Sequence, residues 1–205
     1  MLNLDKNNPV RYTPEQQLAI DSLLASRDTK TGKEMWEEKG PNCIFDDIKQ
    51  DIRIHALSVQ RIRCVYCETQ LVYGGQQIDH FADKKRYPQF LYEPLNLVLS
   101  CPVCNGLSIK GTKDTIDGLP NPDYKRNSFK YVHPYLDDVT EEIKFRDPLH
   151  IFLDYNHCSR KGKDTVDLFH LNTTTARKKR FSNLLTFSTK TSRRKMISEI
   201  LNLSE

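Results

Sequence analysis

The chain has 205 residues, of which 38% are hydrophobic and 28% charged, with a formal net charge of +4. That is enough apolar material to bury a core, and too slight a charge to identify a polyanionic partner by itself. No apolar run reaches membrane-spanning length and no signal-peptide pattern is present, so a reducing, cytoplasmic setting is expected, where disulfides rarely persist.

Thr13-Pro14-Glu15-Gln16 predicts a helix start: Thr13 caps, Pro14 takes the first position and Gln16 reaches back. Leu18, Ile20, Leu23 and Leu24 would form its apolar side. Residues 28–41 are polar, contain two glycines and read as a loop, with Trp36 as an anchor to a core or a partner. Ile44, Phe45, Ile48, Ile52 and His55 recur at helical spacing, His55 as part of a packed face.

Four cysteines dominate the middle of the chain. Cys64-Val-Tyr-Cys67 and Cys101-Pro-Val-Cys104 are paired knuckles, with Cys67 and Cys101 34 positions apart. Two C-x-x-C turns suit one closed tetrahedral Zn²⁺ site, which is structural because no coordination position stays open. Two disulfides or a dithiol redox pair are the competing readings. The first conflicts with a reducing compartment, and the second calls for one reactive pair near a βαβ pattern. Cys43 and Cys158 have no close sequence partner and are expected as buried free thiols.

Between the knuckles, Gly74-Gly75 signals a turn and Gln77 to Phe81 a short strand, with Ile78 and His80 on one face and Asp79 on the other. Lys84-Lys85-Arg86 follows at once and is expected to border a cleft and contact phosphate. Leu95 to Leu99 reads as a second strand, and Cys101 to about Lys110 as a helix with Pro102 in its first turn. The stretch from Gly111 to Arg126 is rich in Gly, Pro, Asp and Asn and reads as irregular. From Asn156 to Glu205 there are 11 basic and 4 acidic residues, with clusters at 160–163, 177–180 and 193–195. Such runs attract phosphate backbones or simply form solvated helix faces.

Taken together, Cys64-Val-Tyr-Cys67, Ile78-Asp79-His80-Phe81 and Asn96-Leu97-Val98-Leu99-Ser100-Cys101-Pro102-Val103-Cys104-Asn105 resemble the HNH endonuclease family and its ββα-metal core. The resemblance implies an α+β fold in which that core, pinned by a four-cysteine zinc site, is embedded in a mostly helical scaffold. The implied division is residues 1–59 as helical scaffold, 60–111 as core and 112–205 as an irregular, then basic helical extension. It implies His80 as general base, Asp79 and Asn105 as the holders of a catalytic Mg²⁺ or Mn²⁺, and Asn96 as the brace that orients the histidine. Family members often carry a lysine three residues after the last Asn or His. Here that position is Ser108, and the lysine comes later as Lys110.

The chemistry suits the mapping. An imidazole can take a proton from water near neutral pH, its unperturbed pKa being about 6.5. Asp and Asn offer hard oxygens to a cation that can polarise a phosphate.

Downstream, Tyr131 to Asp138, Glu141 to Phe145 and Leu168 to Arg180 look like the corresponding segments of PtuB-type HNH proteins of Septu antiphage systems and some retrons. That resemblance implies a PtuA-like ATPase partner of the ABC/SMC-like class. His133 in this stretch either packs in a turn beside Pro134 or projects towards the site. Two other functions stay open: an inactive zinc-stabilised module that binds nucleic acid or protein, and a stand-alone restriction-type HNH nuclease. No helix-turn-helix or finger array is visible, so any specificity would come from loops or a partner.

Overall fold

The computed structural model describes residues 1–71 and 75–187. Gly74 of the expected turn and the Arg193-Arg194-Lys195 cluster lie outside them. The fold is mixed α+β, with short helices around two two-stranded sheets.

Helix α1 (Pro14–Leu24) starts as its sequence dictates: Thr13 accepts from the Gln16 amide and Gln16 returns the bond, a capping box. Ile20 and Leu23 are buried, but Leu18 is 71% exposed, so the apolar side is narrower than its spacing suggested. The segment expected as a loop contains helix α2 (Gly32–Glu37), started by the same box between Thr31 and Glu34. Helix α3 (Ile44–Val59) buries Phe45, Ile48, Ile52 and Ala56. His55 is not on that packed face; its Nε2 meets the Asn8 carbonyl at 3.1 Å in an exposed position. The buried stripe of α3 joins α1, Met35 and Leu97 in one of two apolar cores.

Strand β1 (Gln77–His80) pairs antiparallel with β2 (Leu97–Ser100), placing Asp79 opposite Val98 and His80 opposite Leu97. The second strand begins two residues later than expected because Pro94–Asn96 forms a 3-10 turn. Helix α4 (Pro102–Asn105) follows and packs against β1. It is one turn long, not the longer helix its start suggested, and the chain then continues through turns in which the Lys110 amide bonds the Cys104 carbonyl.

Strand β3 (Ile116–Asp117), inside the stretch expected to be irregular, pairs antiparallel with β4 (Ser128–Phe129) just beyond it. Helices α5 (Val139–Glu142), α6 (Arg160–Leu168) and α7 (Thr174–Phe187) complete the described residues. The larger core runs from Leu4 through Tyr66, Phe81 and Val98 to Val166, Phe169 and Leu171. Segments far apart in sequence therefore bury one another, and Tyr66 stacking on Phe169 at 4.1 Å is the clearest instance. Cys158 is buried, as expected, with its sulfur 3.3 Å from the Asp154 carbonyl, whereas Cys43 is exposed.

Candidate active site and metal centre

The four knuckle sulfurs lie within 4.8 Å of one another, and none is in a disulfide. Cys67 and Cys101 Sγ are 3.7 Å apart. Tetrahedral Zn²⁺ with Zn–S bonds of about 2.3 Å would space its ligands at about 3.8 Å. The donor set thus fits zinc in both chemistry and spacing. Mutual hydrogen bonding drives the Cys67 thiol far down, while burial pushes Cys64 up. Four thiolates this close repel strongly unless a cation sits among them.

Tyr66, one of the two residues between Cys64 and Cys67, donates its hydroxyl to Asp79 Oδ2 at 2.6 Å. Burial, reinforced by the Asp79 charge, holds this phenol protonated far above its usual range, so it remains a donor. The other carboxylate oxygen, Oδ1, accepts from Lys110 Nζ at 2.9 Å. Lys110 also donates to the His80 carbonyl at 2.7 Å and is 1% exposed. Asn105, on α4, is half-buried and donates to Gln77 Oε1 at 2.9 Å, not to Asp79. The oxygen donors of Asp79 and Asn105 are of the hard type that suits Mg²⁺ or Mn²⁺. At Asp79, however, an ammonium already stands on the carboxylate.

His80 occupies the opposite face of β1. Its Nε2 is 3.0 Å from the Leu91 carbonyl, and its buried Nδ1 has no hydrogen-bond partner among the described residues. A carbonyl can only accept, so Nε2 must carry the proton and Nδ1 the lone pair. Burial, followed by the nearby charges of Lys84 and Lys110, holds the imidazole well below its usual pKa and therefore neutral. Trp36 meets the ring edge-on, with centroids 4.6 Å apart. Lys84 Nζ in turn lies 6.0 Å from the Trp36 ring centroid. The closeness of α2 to this loop depends on Gly32, where a Cβ would come within 1.9 Å of the Lys84 carbonyl oxygen. Lys85 and Arg86 are exposed, and Arg86 makes a long bond to the Thr112 carbonyl.

Asn96 ties the loop between the strands. Its Oδ1 accepts from the Ala82 amide at 2.7 Å, and its Nδ2 donates to the carbonyls of Ala82 and Phe90 at 3.1 and 2.8 Å. Leu91, which anchors His80, is the next residue after Phe90. Asn96 Oδ1 also accepts from Tyr124 Oη at 2.9 Å, and Tyr124 Oη lies 2.9 Å from His133 Nε2. His133 Nδ1 accepts the amides of Tyr135 and Leu136 at 3.1 and 3.3 Å, which fixes its tautomer with the proton on Nε2. His133 thus packs in the turn beside Pro134, fully buried, and meets Asn96 only through Tyr124.

Sequence reasoning singled out His80, Asp79, Asn96, Asn105 and the cysteines but not Tyr66, Tyr124 or the placement of Lys110. Tyr66 carried one available signal: a buried aromatic between two ligands must face the neighbouring strand.

No family model matches this chain, and no solved structure matches it significantly. Among the described residues no helix is long and apolar enough to cross a membrane. Among curated proteins, the chain is similar to the Septu protein PtuB of Bacillus thuringiensis, with 27% identity over 178 residues. The match covers 84% of this chain and 55% of that protein, so the chain spans little more than half the length of its relative.

Proposed function

We propose that this chain is a metal-dependent HNH-type endonuclease that hydrolyses phosphodiester bonds, and that it is the nuclease component of an antiphage defence system controlled by a PtuA-like ATPase. The observation that carries the reading is the pose of His80: a neutral imidazole whose Nε2 faces the Leu91 carbonyl and whose lone pair on Nδ1 is unclaimed among the described residues. A buried histidine serving only to pack would ordinarily have both nitrogens satisfied. Such an unsatisfied nitrogen is suited to take a proton from an attacking water once its cover, which includes Trp36, moves aside to admit one.

Asp79 and Asn105 would hold Mg²⁺ or Mn²⁺, with Lys110 having to yield at Asp79. When bound, such an ion would polarise the phosphate and stabilise the leaving oxygen. Asn96 would fix the loop that carries Leu91 and so the tautomer of the base. Lys84, Lys85 and Arg86 would meet the nucleic-acid backbone, where contacts add affinity without reading sequence. The zinc knuckles would hold the two strands and α4 in register, contributing folding energy. Similarity to a Septu protein supports the defence assignment, and the ATPase partner is what the resemblance to PtuB-type proteins implies.

The test is incubation with plasmid, single-stranded DNA and total RNA in Mg²⁺ or Mn²⁺, with and without a co-encoded ATPase. Wild type should cleave and His80→Ala should not, at equal folding and zinc content. Cleavage by His80→Ala would remove the base assignment. Binding without cleavage by wild type under every condition would instead favour a zinc-stabilised binding module.

A further inference from the structure

Two oxygens of different origin converge on one point beside His80. Asp79 Oδ1 and the His80 backbone carbonyl lie 2.9 and 2.7 Å from Lys110 Nζ. A carboxylate and a carbonyl directed at one spot are what a small hard cation seeks. Here the spot is filled by the chain's own ammonium. The pair is sealed: Lys110 is 1% and Asp79 4% exposed. Asp79 Oδ2 is taken by Tyr66, so Oδ1 is the oxygen left for a ligand, and it is the one Lys110 holds.

We propose that Lys110 is a tethered cation that competes with a divalent ion for Asp79, so that the site takes up metal only when Lys110 gives way. This rests on the reading of Asp79 as a metal-holding residue and adds what controls its loading. The argument is one of charge. A buried carboxylate–ammonium pair is neutral, and a further doubly charged ion within a few ångströms of the ammonium is repelled where water screens little. Removing the ammonium reverses this, leaving an unpaired buried carboxylate that attracts cations.

Any withdrawal of Lys110 would move a turn, not a helix. The residue lies outside α4, in the run of turns after Cys104, and Gly111 follows it at φ +47°. Its neighbours Leu107, 83% exposed, and Ser108 face solvent. A nucleic-acid strand or protein surface pressing on this turn would act directly on the segment that carries the lysine.

The experiment is a Mn²⁺ titration of the zinc-loaded full chain, followed by calorimetry and by electron paramagnetic resonance, so that no cleavage assay is needed. Lys110→Met and Lys110→Gln should bind Mn²⁺ at least tenfold more tightly than wild type, and adding Asp79→Asn should abolish the gain. Should Lys110→Met fail to fold, Lys110→Gln keeps an N–H for the His80 carbonyl and carries the comparison. Wild-type binding that depends on Asp79 but does not tighten in either lysine variant overturns the competition and leaves the metal reading intact. Absence of Asp79-dependent binding in every variant overturns both.

Discussion

Tyr124 Oη stands 2.9 Å from His133 Nε2 and 2.9 Å from Asn96 Oδ1, and its single proton can go only to Asn96. The His133 ring is fixed by two backbone amides on its other nitrogen, so it donates and the phenol passes the bond on. A residue 53 positions after His80 is thereby joined to the loop whose Leu91 carbonyl faces His80. Tyr124→Phe leaves a buried N–H without an acceptor, and a loss of about 1–3 kcal/mol in urea unfolding is expected. In the proposed reaction kcat should fall more than KM rises, because Asn96 loses one of its two donors while the surface that meets nucleic acid is untouched. Equal stability of the variant and wild type would show that the network contributes nothing.

The same histidine predicts acid sensitivity. Burial, with the Lys161 charge adding to it, lowers the His133 pKa well below 6.5 in the folded chain. The unfolded chain then binds the extra proton first as pH falls, so stability is complete above about pH 6.5 and declines below it. In that window one such group costs about 1.4 kcal/mol per pH unit. His80 is shifted the same way, so the slope has two contributors. Melting temperature measured from pH 8 to 5 (a range chosen to bracket about 6.5) should drop on the acid side, and His133→Gln should flatten the drop.

Metal removal tests the sulfur cluster. Stripping the protein with a strong chelator, or changing Cys64 or Cys101 to Ser, should collapse near-ultraviolet circular dichroism and lower solubility, since a structural zinc supplies folding energy outright. One zinc per chain by elemental analysis is the expected stoichiometry. Folded protein without any metal would contradict the assignment.

Gly32 offers a test of geometry alone. Its backbone is so close to Lys84 that a methyl group would collide with main-chain oxygen. Gly32→Ala should cost about 1–3 kcal/mol and shift Trp36 fluorescence, because α2 must lift from the loop after β1. An unchanged spectrum and melting temperature would mean that α2 is not seated as described.

The basic trio after β1 is tested by salt. Changing Lys84, Lys85 or Arg86 singly to Ala should weaken nucleic-acid binding equally across sequences, each lowering the dependence of log K on log salt by about 1. Filter binding at several salt concentrations reads this directly. Unchanged slopes would remove the trio from the interface.

Local signals were the legible ones. Thr13 and Gln16 announced a helix because capping involves only four consecutive residues. Thr31-Gly-Lys-Glu34 carried the same box, but the glycines of that polar stretch suggested a loop, and tertiary contact with Lys84 explains why one of them lies inside a helix. The knuckles and the alternation across Asp79 and His80 were readable for the same local reason. What the sequence could not display was non-local pairing. Lys110 reaches Asp79 across 31 positions and Tyr124 reaches Asn96 across 28, and neither residue type signals such a partner. The helix foreseen to Lys110 stops at Asn105, and Lys110, in the turns that follow, reaches the Asp79 carboxylate and the His80 carbonyl of β1.

Tyr66 has two neighbours in sequence-level chemistry and one in space: it is bracketed by Cys64 and Cys67, and its hydroxyl holds Asp79. One short peptide thus supplies two of the four sulfurs that could hold a metal and the phenol that holds the acid. Replacing the cysteines with apolar residues would therefore disturb the peptide whose phenol holds one oxygen of the Asp79 carboxylate.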